Sequence, residues 1–346
     1  MSKTLQDYAT LINDTIQSNE INHYITTDNM CQNLGGIDTF KNINIPQGKV
    51  RSFQKDDVLL SNIRLYFRKV YRAKQKGGCS SDVLVFRAKH IDSATLFAIL
   101  SSQIFTDYAC SGSQGSKMPR GNKTHMMDFK IPTINFTIAK IFNSIQNKIE
   151  NNHKINELLH TLAYKIYEYY FKYKPKNAKL EQIIIENPKS SIMVKNAQKT
   201  QDKYPFFTSG DNILFYPKAI IDGRNCFLNT GGNAGIKFYV GKASYSTDTW
   251  CICANEFSDY LYLLLSSIKT HINQSFFQGT SLKHLRKNLL KKYPIYMPSV
   301  HEIKKFNQII MPLLTLISIN TRTSKKLEQI RDFLLPLLLT QQVKPQ

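Results

Sequence analysis

The side chains here that could do chemistry are hydrogen-bond donors and cations placed beside glycines and strand ends. In the first half they are Ser61, Asn62, Arg64 and Tyr66 in LLSNIRLYF, then Lys117, Arg120, Asn122 and Lys123 in the loop SGSQGSKMPRGNKTH. In the second half they are Thr208 and Ser209 in FFTSGDN, Asn229, Thr230, Asn233 and Lys237 in NTGGNAGIK, and Lys283 and Arg286 in SLKHLRK. Arginine and lysine neutralise phosphates or grip guanine, asparagine pairs bidentately with adenine, and glycine lets backbone amides approach a phosphate. These residues are therefore candidate contacts to double-stranded DNA. For any single lysine among them, a solvated surface is the plainer explanation.

No catalytic constellation accompanies them. NTGGNAGIK lacks the GxxxxGK[ST] spacing of a phosphate loop. The chain contains no Pro-Pro pair, so the (N/D)PP(Y/F) motif expected of an amino-methyltransferase is missing. The eight histidines are scattered singly, and carboxylate clusters of the nuclease kind are not found. Six cysteines never form a CxxC pair, so no metal site is expected and a reduced, cytosolic chain is. The balance of 46 Lys plus Arg against 25 Asp plus Glu, a net +21, points to a polyanionic partner. The start, MSKTLQDYATLIND, has no apolar core of a signal peptide, and apolar runs such as Leu334 to Leu339 fall far short of the ~20 residues that span a bilayer. The expectation is a cytoplasmic binding protein without a cofactor of its own.

Two long seams must position these loops. Ile138, Phe142, Ile145, Ile149, Asn152, Asn156, Leu159, Ala163, Ile166, Tyr170 and Tyr173 follow alternating steps of four and three, the period of a coiled-coil seam. Ile303, Phe306, Ile310, Leu313, Ile317, Asn320, Ser324, Leu327, Arg331, Leu334 and Leu338 follow the same steps in the other order. The spacing predicts two helices, from Pro132 to Tyr173 and over 299–340, paired antiparallel within the chain. Asn152, Asn156, Asn320 and Ser324 fall near the middle of the seams; they set register as buried polar pairs or mark a solvated stretch, and the spacing leaves both open.

Ahead of each helix lies a mixed region of strands and short helices. In the first, Val58 to Leu60, Leu65 to Val70 and Val83 to Phe86 read as strands, and Ser93 to Ser102 as a helix capped by Ser93. The two halves share landmarks. Ser80-Ser81-Asp82 lies 166 residues before Ser246-Thr247-Asp248, and Leu100-Ser101-Ser102 lies 165 before Leu265-Ser266-Ser267. Gln114-Gly115-Ser116 lies 164 before Gln278-Gly279-Thr280, Pro132 lies 166 before Pro298, and Phe142-Asn143 lies 164 before Phe306-Asn307. Five matches in one order at nearly constant offset indicate a tandem duplication of a globular unit plus a long helix.

Several stretches resemble the DNA-specificity (S) subunits of Type I restriction-modification systems: YITTDNM, DDVLLSNIRLYFRKV, GGCSSDVLVFRA and QGSKMPRGN in the first half, and YPFFTSGDN, FLNTGGNAGIKFYVGKASYSTDTW and KLEQIRDFLLPLLL in the second. The resemblance implies a fold of two pseudo-symmetric mixed α/β (α+β) target-recognition domains, residues 1–131 and 175–298, separated by an antiparallel coiled coil of two conserved spacer helices, residues 132–174 and 299–340. It implies a non-catalytic subunit that reads a bipartite site in double-stranded DNA. Two modification subunits would methylate adenine N6 using S-adenosylmethionine, and restriction subunits would use ATP and Mg. Leu65 departs from the family's usual proline in SNIRPYF, which would loosen the strand expected there. Two other readings stay open: a coiled-coil scaffold or inactive cassette that binds only protein partners, and part of a stand-alone restriction enzyme, against which the missing motifs weigh.

Overall fold

The computed structural model describes residues 3–38, 43–131, 133–197, 203–210, 213–279 and 282–339; Pro132, Asp211, Asn212, Thr280 and the segment past 339 lie outside them. The chain divides into two compact units, residues 1–151 with 325–346, and residues 152–324. No helix among the described residues is long and apolar enough to cross a membrane.

In unit one an antiparallel sheet runs in the order Ala9–Ile12, Val83–Ala88, Val58–Ser61, Val70–Arg72. Side chains alternate across a strand, so Val58, Leu60, Leu84 and Phe86 join a core with Leu96, Phe97 and Leu100 of the helix Ser93–Ser101. Leu59, Val83 and Val85 turn the other way, to Ile25, Phe53 and Cys79 of a second sheet. Burial on both faces is why VLL and VLVF read as unbroken apolar runs.

Unit two repeats the plan. Its main sheet runs Ile185–Glu186, Thr249–Cys253, Arg224–Asn229, Ile236–Val240. Cys226, Leu228, Trp250 and Ile252 face the helix Ser258–Ser267, while Phe227, Tyr239 and Cys251 face Phe207 and Tyr245. Leu60 pairs with Leu84 in unit one as Leu228 pairs with Trp250 in unit two, so the duplication extends to strand register. The smaller sheets have diverged: among the described residues unit one has four strands there and unit two has three. Each keeps one parallel pair, Tyr24–Ile25 with Gly77–Cys79, and Tyr204–Phe207 with Ser244–Tyr245.

The long helices are Phe136–Tyr167, continued by a π-helical turn over Glu168–Lys172, and Val300–Leu338. The second starts at a capping box, in which Glu302 N donates to Ser299 Oγ at 3.3 Å and Ser299 N donates back to Glu302 Oε2 at 2.9 Å. Within unit two the helices pair antiparallel through polar groups. Asn152 Nδ2 donates to Ser324 Oγ at 3.1 Å, both residues being buried, and Asn320 Nδ2 donates to Asn156 Oδ1 at 3.0 Å. Of the two roles open for these residues, the structure shows polar pairs, buried for Asn152 with Ser324 and half-buried for Asn156 with Asn320. Within unit one, Asn135 N donates to Leu338 O at 3.0 Å, and the buried Arg331 donates to Gln146 Oε1 at 3.0 Å.

Three local expectations need correcting. Leu65 to Val70 is not a strand: Leu65–Phe67 is a 3-10 turn flanked by Arg64 and Arg68, both left-handed at φ 51° and 49°, and the strand is Val70–Arg72. Leu65 is buried in that turn. The first short helix is capped by Asp92, whose carboxylate accepts from Thr95 N at 2.8 Å, rather than by Ser93. Along the seams Ala139, Gln146, Leu314 and Leu335 are buried, while their neighbours Ile138, Ile145, Leu313 and Leu334 are half-buried, and Tyr173 is 83% exposed beyond the helix. A helix of 3.6 residues per turn drifts from a strict 3.5 repeat, which moves burial to the adjoining position. Phe142, Ile149, Phe306, Ile310 and Ile317 are buried as expected, and Leu159, Ile166 and Leu327 are half-buried.

Candidate nucleic-acid interface

In unit one the strand Val58–Ser61 runs out into residues 62–66, and the Gly-rich loop folds onto that exit. Ile63 bridges Arg120, Arg64 N donates to Pro119 O at 2.9 Å, and Gly121 N donates to Asn62 O at 3.2 Å. Arg120 and Gln114 exchange backbone bonds of 2.8 and 2.9 Å. Two stretches far apart in sequence thus form one platform. On it Lys117 and Lys123 are exposed, Tyr66 is exposed and edge-on to Phe67, and the Arg64 guanidinium donates to Lys117 O at 3.3 Å. Arg120, exposed, forms an ion pair with Asp82 at 2.9 Å. Other candidates turn inward. Ser61 Oγ donates to Ile63 O at 3.1 Å, and Asn62 is buried beneath Gly121, where a Cβ would lie 3.0 Å from Asn62 Oδ1. Asn122 Oδ1 accepts from His125 N at 3.1 Å and caps the helix Lys123–Met127.

Unit two builds its platform from the same bonds. Thr230 N donates to Asp248 O at 3.2 Å, as Asn62 N does to Asp82 O at 2.7 Å. Leu285 N donates to Thr230 O at 3.0 Å, the counterpart of Gly121 N to Asn62 O. Gly231 bridges His284 and Gln278 pairs with His284, repeating the ties of Ile63 and Gln114 to Arg120. His284 therefore stands where unit one has Arg120, and Arg286 stands in the cap position of Asn122, making no side-chain cap bond. Lys283, Arg286 and Asn233 are exposed.

Several unit-two candidates hold the platform together. Lys237 Nζ donates to Thr208 O at 2.7 Å and to Gly210 O at 2.6 Å, pinning the turn in which Gly210 N donates to Thr208 Oγ1 at 3.1 Å. Ser209 Oγ and Thr230 Oγ1 both donate to Asp248 O, and the buried Asn229 donates to Asn233 O at 3.1 Å. Lys287 Nζ lies 5.1 Å from the Trp250 ring centre; burial lowers its pKa and the charge of Glu186 opposes the shift. The hydrogen bond from Lys291 is the main reason the Glu186 carboxyl titrates below its usual range, helped by the Trp250 indole N–H, which donates to it at 2.8 Å.

Residues 176–329 match the family model described as Type I restriction modification DNA specificity domain. That matched stretch is less than half of the chain, and it is similar to the Type I DNA-specificity family. No curated protein sequence is significantly similar to the chain. Among solved structures, it is similar to the Type I restriction-modification S subunit from M. genitalium, at 14% identity over 99% of this chain and 96% of that one, with a TM-score of 0.65. It also matches the HsdS subunit from Thermoanaerobacter tengcongensis, at 14% identity over 98% and 96% of the two chains, with a TM-score of 0.37. The matched specificity domain contains every unit-two candidate named above.

One part of the unit-one platform was not picked out from sequence. Thr26–Asp28 is the counterpart of Thr208–Gly210. Asp28 N donates to Thr26 Oγ1 at 3.2 Å, and Lys69 Nζ donates to Thr27 O at 2.5 Å, much as Lys237 holds the second turn. Ser80 N donates to Ile25 O and Ser246 N to Phe207 O, both at 2.9 Å, just before these turns. The signal was present as TTDN and TSGDN, but 182 residues apart, outside the 164–166 spacing of the other repeats.

Proposed function

We propose that this chain is the non-catalytic, sequence-specific DNA recognition subunit of a Type I restriction-modification complex. Each unit reads one half of a bipartite double-stranded site, and the two long helices set the unread gap between the halves. Two modification subunits, carrying S-adenosylmethionine, are positioned for adenine N6 methylation, and restriction subunits bring ATP and Mg. The observation that supports this reading most directly is the repeated platform: the same backbone bonds carry Lys117, Arg120 and Lys123 in one unit and Lys283, His284 and Arg286 in the other. The +21 net charge suits a phosphate backbone.

Methylation mapping of cells expressing the chain with its modification subunits is expected to give a gapped adenine-containing motif; a methylome without one would refute the proposal. Inserting about one heptad into both long helices should lengthen the gap and leave the half-site sequences alone.

A further inference from the structure

Lys117, Lys123 and Arg120 share one surface, but among the described residues only Arg120 has an acidic partner there. Its NH2 group is 2.9 Å from Asp82 Oδ1, and its side chain is 63% exposed. A guanidinium carries five N–H donors in a planar fork, so a single contact with the carboxylate, on a side chain this exposed, leaves donors for a second partner. The backbone beneath it is held on two sides, by the bridge to Ile63 and the paired bonds to Gln114. An ion pair this exposed contributes little to stability.

We propose that Arg120 reads a guanine in the half-site bound by unit one, and that Asp82 is its positioning residue. The inference rests on the DNA-reading role argued above. A phosphate is attracted by charge, which the Asp82 carboxylate offsets; Lys117 and Lys123, exposed and without an acidic partner among the described residues, suit phosphates better. Guanine presents O6 and N7 as a pair of acceptors that the two-pronged guanidinium matches in geometry. The internal repeat points the same way. Unit two keeps the frame, with Asp248 in place of Asp82, yet carries His284 at the position of Arg120, and one Asp248 carboxylate oxygen accepts from Thr247 Oγ1 at 2.7 Å. A constant frame with a changed side chain is what two readers of different half-sites require.

The test selects a randomised duplex library with the full chain and sequences the bound fraction, for wild type, Arg120→Lys, Arg120→Ala and Asp82→Asn. Wild type should enrich guanine at one position of one half-site roughly tenfold or more. Arg120→Lys, which keeps the charge and loses the fork, should flatten that position alone with the salt slope unchanged. Arg120→Ala should flatten it too, and Asp82→Asn should weaken it severalfold while the other half-site stays intact. The proposal is overturned if Arg120→Lys keeps the guanine, or if Arg120→Ala lowers affinity uniformly with a shallower salt slope and an unchanged profile, which marks a phosphate contact. An Asp82→Asn profile identical to wild type overturns the positioning role. A wild-type chain that enriches no sequence refutes the DNA-reading role itself, and this inference with it.

Discussion

Unit one and unit two hold their loop platforms with the same backbone hydrogen bonds and place different side chains on them. Asn62 N to Asp82 O and Thr230 N to Asp248 O are one bond made twice, yet position 120 is arginine and position 284 is histidine. The helix seams also differ, in their interiors: unit one buries Arg331 on Gln146, and unit two buries Asn152 on Ser324. In the platforms, duplication preserved the hydrogen bonds that fix the backbone and released the side chains carried on it. Recognition is therefore to be sought among the side chains in which the two copies disagree.

That comparison can be broken in order of size. Arg331→Ala should cost unit one about 3 kcal/mol in chemical denaturation, because it empties a buried site and leaves Gln146 Oε1 unpaired. Ser324→Ala, a cut in the buried polar pair of unit two, should cost about 1 kcal/mol through the stranded Asn152 amide. Equal costs would mean that the two seams are closed alike. Asn122→Ala should lose about 1 kcal/mol with its helix cap, while Arg286→Ala at the equivalent position, which makes no cap bond, should leave the unfolding midpoint in place. Lys117→Ala should leave stability unchanged and make the salt dependence of DNA binding shallower by about one unit of slope; an unaltered slope would remove Lys117 from the phosphate contacts.

Much of the main framework was legible because burial writes itself into composition. The doubly buried strands read as apolar runs, the helices as seams, and the duplication as landmarks at nearly constant offset. The failures share a physical cause. Leu65 to Val70 has the composition of a strand, but paired left-handed arginines turn it into a 3-10 segment, and that backbone conformation is set by the Gly-rich loop bonded to Arg64 from more than fifty residues away. Asn62, Asn122, Asn229 and Lys237 have the right chemistry for DNA, yet in this fold their polar groups are turned to caps, carbonyls and the protein interior. Sequence gives the donor; only the fold shows where its hydrogen bonds go.

The most direct test of two readers in one chain compares bound-duplex sequences for Lys117→Ala/Arg120→Ala with those for Lys283→Ala/Arg286→Ala, each in the full chain. The account predicts that the wild-type gapped motif persists and that each pair alters or weakens only its own half, the other half keeping its bases. Loss of both halves in either variant, or a change in neither, would contradict it.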